Sequence, residues 1–190
     1  MAYSLKYSYN STSQSYSVTG YENITTSDIV VIPSVYNDGT NGEHPVTGIG
    51  SLAFYNCSRL TNIEIPDSVT SIGEDAFWGC SSLTSVTIGN SVTSIWKRAF
   101  HGCSSLKQLV LFPSTPPTLG SYAIPTTTTI YVQQSSKEAY KTATNWNAFA
   151  DKIVSDNMYL SFIRFNRKNK EYIDKKIKEL KEYIDSKLYS

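Results

Sequence analysis

The chain has 190 residues, room for one domain plus an appendage; 40% of them are apolar, only 17% are charged, and the formal net charge is +1. So balanced a charge excludes a whole-chain basic field for nucleic acid. A charged share below the usual ~25%, offset by Ser, Thr and Asn, favours strands over helices.

The N-terminal stretch MAYSLKYSYNSTSQSYS has no apolar core of the kind a signal peptide needs, so none is expected. That leaves a mature chain, a trimmed one, or export by an unusual route. No apolar run approaches the length of about 18 residues that spans a membrane, so no membrane insertion is expected. Residues 1–21 hold two alternating, tyrosine-rich runs around the polar STSQ. This predicts a β-hairpin that covers the open edge of whatever follows.

Residues 22–134 are repetitive. AFYNCSRLTNIEI, AFWGCSSLTSVTI and AFHGCSSLKQLVL begin at Ala53, Ala76 and Ala99, a step of 23. Cys57, Cys80 and Cys103 share that step, as do Leu60, Leu83 and Leu106. The alternation in each L-x-x-I-x-I predicts a short strand with one apolar face. A turn such as IPDS or IGNS leads to a second strand, V-T-S-I. The segment A-F-x-G-C-S-S predicts a tight turn, with the serine pairs bonding local backbone. One unit cannot bury its apolar edge alone, whereas stacked units can, so the array reads as a solenoid of about four coils. NDGTNGEH (37–44) reads as a loop insertion. After Leu111 the pattern loosens, with Leu119 and Ala123 at a step of 24 from Ile95 and Ala99. Ile130–Val132 is expected to be the last strand.

Residues 135–157 predict a helical cap, N-capped at Ser135-Ser136, with Tyr140, Trp146, Phe149 and Ile153 folded over the last coil. Net charge changes sign at the next segment, from −3 over 1–157 to +4 over 158–190. There Ile173, Ile177, Leu180 and Ile184 form a heptad seam that extends back through the polar Lys170 and Asn166 to Ile163, a stripe to be buried against the solenoid or against copies of itself. Ile at both seam positions points to a three-stranded coiled coil and a homotrimer. Arg164, Arg167, Lys168 and Lys170 read as a solvated helix face, the alternative being contact with phosphate or an anionic surface.

The cysteines, 23 apart, lack the close spacing of a zinc site, so no metal is expected and a buried structural role is. His44 and His101 have no partners spaced for a ligand set or a triad. His101 shares its column with Tyr55 and Trp78, while Trp96 replaces the glycine of Gly50 and Gly73 and precedes Lys97-Arg98. Exposed aromatics and arginines anchor interfaces. The candidate binding residues are therefore Tyr55, Trp78, Trp96, Lys97, Arg98 and His101, with the tryptophans stacking on a sugar or anchoring a protein.

The units IPDSVTSIGEDAFWGCSSLTSVTI and IGNSVTSIWKRAFHGCSSLKQLVL resemble the BspA-like leucine-rich repeat family. The likeness runs over residues 16–154, from YSVTGYENITTSDIVVIPSVYN to IYVQQSSKEAYKTATNWNAFADKIV. It implies a mainly β leucine-rich-repeat solenoid with no catalytic residues and no cofactor. Its members are commonly adhesive bacterial surface proteins, with similar arrays in bacteriophage proteins. EYIDKKIKELKEYIDSKL resembles the coiled coils that trimerise bacteriophage fibre proteins. Together these predict a non-enzymatic binding and assembly protein, a virion fibre or decorating component that contacts a host surface. Its partners would be itself, other virion proteins and a cell-surface glycan or protein. The alternative is a bacterial cell-surface or secreted adhesin whose signal and anchor lie outside this chain.

Overall fold

A computed structural model describes residues 3–23 and 29–155. Strands β1 (Ser4–Asn10) and β2 (Ser15–Glu22) pair antiparallel as a hairpin. Next come β3 (Ile29–Val31), β4 (Val35–Asn37) and β5 (Glu43–Ile49). β6 (Asn62–Ile65), β8 (Ser85–Ile88), β10 (Gln108–Leu111) and β12 (Thr129–Tyr131) alternate with the two-residue strands β7 (Ser71–Ile72), β9 (Ser94–Ile95) and β11 (Thr118–Leu119). Helix α1 (Lys137–Thr142) and strand β13 (Ile153–Val154) end the described chain.

These strands build two sheets. In the first, β2, β5, β7, β9 and β11 lie parallel in that order, with β1 on the outer edge of β2 and β4 paired antiparallel to β5. The second, β3-β6-β8-β10-β12-β13, is parallel throughout. The register reproduces the repeat. Ile63 lies beside Val86, Val86 beside Leu109, and Ser71 beside Ser94, each one period of 23 away. Between β9 and β11 the offset grows to 24, with Ser94 beside Thr118.

The core follows from that register, because each repeat column stacks on itself. Phe54, Phe77 and Phe100 are fully buried, with ring centroids 4.9 and 5.0 Å apart and planes within 7° of parallel. Tyr21 extends the stack from β2, 5.6 Å from Phe54. The Cys80 thiol donates to Phe54 O and the Cys103 thiol to Phe77 O, both at 3.1 Å. All three cysteines are buried and free. The neighbouring Cys103 thiol and burial push the Cys80 thiol pKa up, which favours its protonated form.

Several sequence expectations are corrected. NDGTNGEH is not simply a loop: Asn37 ends β4, Glu43 opens β5, and the tip between them is tied by Thr40 N and Asn41 N to Asp38 Oδ1. The V-T-S-I strands keep only their last two residues, because Val69 and Val92 turn inward before pairing begins. The serine pairs leave turn satisfaction to the backbone, with Ser81 N bonding Gly79 O and Leu83 N bonding Cys80 O. Ser136 precedes α1 but makes no side-chain cap bond; it is buried instead. The last strand among the described residues is not the one expected at Ile130–Val132, which is β12, but β13, inside the segment read as helical, because Ile153 pairs with Ile130 and continues the sheet. Residues 158–190, with Ile163, Ile173, Ile177, Leu180 and Ile184, lie outside the described residues.

Candidate functional site

Between the two sheets each coil makes a third side from the A-F turn. Backbone bonds cross from coil to coil here as well: Phe54 N to Ala76 O, Asn56 N to Trp78 O, Phe77 N to Ala99 O and Gly79 N to His101 O, at 2.7–2.8 Å. The residue before each alanine, namely Leu52, Asp75, Arg98 and Tyr122, holds a left-handed φ of 55–60°. Such backbone is costly for a side chain other than glycine. In the unit A-F-x the Phe turns into the core and the next side chain turns out.

The outward side chains stack. Tyr55 and Trp78 lie 4.9 Å apart with planes 9° from parallel. His101 follows 6.3 Å beyond Trp78 at 27°, and Tyr122 meets His101 edge-on at 6.5 Å. Three of the sequence candidates thus form one ladder, Tyr55–Trp78–His101. Trp78 lies between neighbours from the coils on either side, closely stacked on Tyr55 and more loosely on His101. Tyr122 was not among the candidates. It stands before Ala123 as Arg98 stands before Ala99, a signal blurred by the change of step to 24.

Trp96 opens the turn directly after β9 and is 58% exposed. Its column is otherwise glycine. A Cβ on Gly73 would sit 2.6 Å from Ser51 N, and one on Gly120 would overlap Lys97 N. Trp96 keeps the column's hydrogen bond, N–H to Ile72 O, at 3.0 Å, where Gly50, Gly73 and Gly120 make theirs at 2.8 Å.

Arg98 is already engaged. Its Nε and Nη2 donate to the two Asp75 oxygens at 2.7 Å, and Nη2 also reaches Glu74 Oε1 at 3.1 Å. This pairing holds the Asp75 carboxyl below its ordinary pKa and raises that of Arg98. Lys97 is exposed and has no salt-bridge partner among the described residues. Of the five large hydrophobic residues exposed in the described chain, Leu52, Tyr55, Trp96 and Tyr122 belong to this side; only Val35 does not. No group of three or more His, Cys, Asp or Glu residues able to hold a metal occurs among the described residues, nor any helix long and apolar enough to cross a membrane.

The family model described as BspA type leucine rich repeat region (6 copies) matches residues 40–152. Among solved structures, a leucine-rich repeat protein from Bacteroides ovatus is 30% identical with a TM-score of 0.57, over 69% of this chain and 36% of its own. One from Bacteroides capillosus is 28% identical with a TM-score of 0.58, over 68% of this chain and 94% of its own. The T. pallidum leucine rich repeat protein is 27% identical with a TM-score of 0.54, over 73% of this chain and 66% of its own. The chain therefore spans about a third of the first of these and just under two thirds of the last. No curated protein matches it. With the family model covering more than half of its length, the chain belongs to the BspA-type leucine-rich repeat family.

Proposed function

We propose that this protein is a non-enzymatic binding and adhesion module that recognises a protein surface through the A-F turn side. One observation carries the reading: four of the five exposed large hydrophobic residues among the described residues belong to this side, which also holds an ordered aromatic ladder. Clustered exposed apolar side chains mark interaction sites, and aromatic side chains already held by their neighbours lose little entropy on binding. The ladder offers ring edges and polar tips, which suit a protein surface; Trp96, 58% exposed, would also suit the stacking of a sugar. The test is binding of the labelled protein to bacterial cells and to a glycan array, with and without Trp96→Ala. The expected loss is about tenfold or more, as for an interface anchor. Unchanged binding defeats the assignment.

Two settings fit such a module. A virion fibre or decorating protein is favoured by the Ile173–Ile184 heptad seam, which would trimerise the chain and multiply weak contacts. A bacterial surface adhesin is favoured by the Bacteroides relatives. Peptide mapping of purified virions against washed cell envelopes separates the two, and light scattering on the full chain tests the trimer.

A further inference from the structure

Charge is sorted along the stack. Residues 29–80 carry six acidic residues against one basic, and residues 81–155 carry six basic against two acidic. The sorting is sharpest on the turn side, where Glu74-Asp75 of one coil is followed, one period on, by Lys97-Arg98. The apolar residues of the Leu52 column lie outside this charged pair: Leu52 one coil before and Tyr122 one coil after, 54% and 75% exposed.

We propose that this side binds a second copy of the same chain in antiparallel orientation, about a two-fold axis lying in the interface. The axis runs across the coils, midway between the turn that holds Trp78 and the turn that holds His101. The proposal rests on reading the turn side as the recognition surface. A two-fold interface must be self-complementary, and this axis makes it so. It sets each column against itself in reverse coil order. Glu74 then faces Lys97 of the other copy, a pairing that occurs twice, while Arg98 and Asp75 keep their pair within each copy. Leu52 faces Tyr122, the edge of Trp78 faces His101, and Trp96 faces Gly73, which carries no side chain.

The opposite orientation fails on charge. A parallel arrangement sets Lys97-Arg98 against Lys97-Arg98 and Glu74-Asp75 against Glu74-Asp75, and like charges juxtaposed across an interface reject a partner. Pairing of this kind between copies on different particles or cells would make the adhesion homophilic.

Cross-linking of the full chain tests this. Leu52→Cys and Tyr122→Cys are made separately, purified and mixed under mild oxidation; the native cysteines are buried and do not compete. Circular dichroism confirms that each variant is folded. Antiparallel pairing predicts a mixed Leu52→Cys/Tyr122→Cys disulfide several-fold more abundant than either self-disulfide. It also predicts loss of that product at about 1 M salt, where the screening length is ~3 Å. Predominance of the Leu52→Cys self-disulfide, or no product, overturns the proposal. A charge exchange provides the second reading: Lys97→Glu should abolish pairing and mixing it with Glu74→Lys should restore it, whereas failure of the mixture to associate also overturns it. Binding to foreign surfaces is a separate measurement, so a failed cross-link with Trp96-dependent cell binding sinks the self-pairing alone.

Discussion

Arg98 closes on Asp75, one period earlier, through two hydrogen bonds of 2.7 Å, and both residues hold the same left-handed φ of 55°. The ion pair thus fastens one turn to the next at a point where each backbone is held in a costly conformation. Because the hydrogen bond from Arg98 lowers the Asp75 pKa, the carboxylate stabilises the fold fully above the ordinary value of about 4. That contribution is lost as pH falls through the lower folded value. Asp75→Asn, which tolerates the left-handed backbone, should have the lower melting temperature near neutral pH. The two melting curves should converge in acid; a gap constant across pH would mean the charge contributes nothing.

The stack of Phe54, Phe77 and Phe100 is the thread of the core, and Phe77 has a parallel ring on each side. Phe77→Ala should cost about 3–5 kcal/mol in urea unfolding. Phe77→Leu should cost markedly less, because most of the volume is kept. Equal costs would show that volume is not what the stack supplies.

The glycine column makes opposite predictions for two of its positions. Gly120→Ala drives a methyl group into Lys97 N and should destabilise by about 1–3 kcal/mol. Trp96→Gly restores the residue found at 50, 73 and 120, and should leave the melting temperature unchanged or raise it while weakening binding. Marked destabilisation by Trp96→Gly would make Trp96 a packing residue.

Beyond β11 the coil edge is closed by side chains. Trp146 Nε1 donates to Pro117 O and Asn145 Nδ2 to Leu119 O, both at 2.6 Å, and the Tyr140 hydroxyl donates to Pro113 O at 3.0 Å. These carbonyls would otherwise be open to another strand. Trp146→Phe keeps an aromatic ring but removes the N–H from a fully buried site. A cost of about 1–3 kcal/mol in chemical unfolding is expected. A neutral effect would mean that Pro117 O finds water instead.

Much of this was legible beforehand because stacking turns a sequence period into a strand register. Ile63, Val86 and Leu109 occupy one column of the sequence and one row of the sheet. Ile153 is buried against the last coil as the sequence suggests, but two short helical stretches precede it, and their signal hides a strand that only the neighbouring Ile130 makes possible. Ser136 was misread because a residue suited to capping is buried here instead.

For the candidate site the division is different. The sequence by itself determined which positions repeat, hence which side chains are interior, because a coil can hide its apolar residues only beneath the equivalent residues of the next coil. Only the tertiary structure decided that Tyr55, Trp78 and His101 stack, that Tyr122 joins them across a lengthened step, and that Arg98 is tied to Asp75. Those outcomes depend on where a left-handed turn aims each side chain, a direction set by backbone torsions and by neighbours 23 or 24 residues away, which the residue type does not encode.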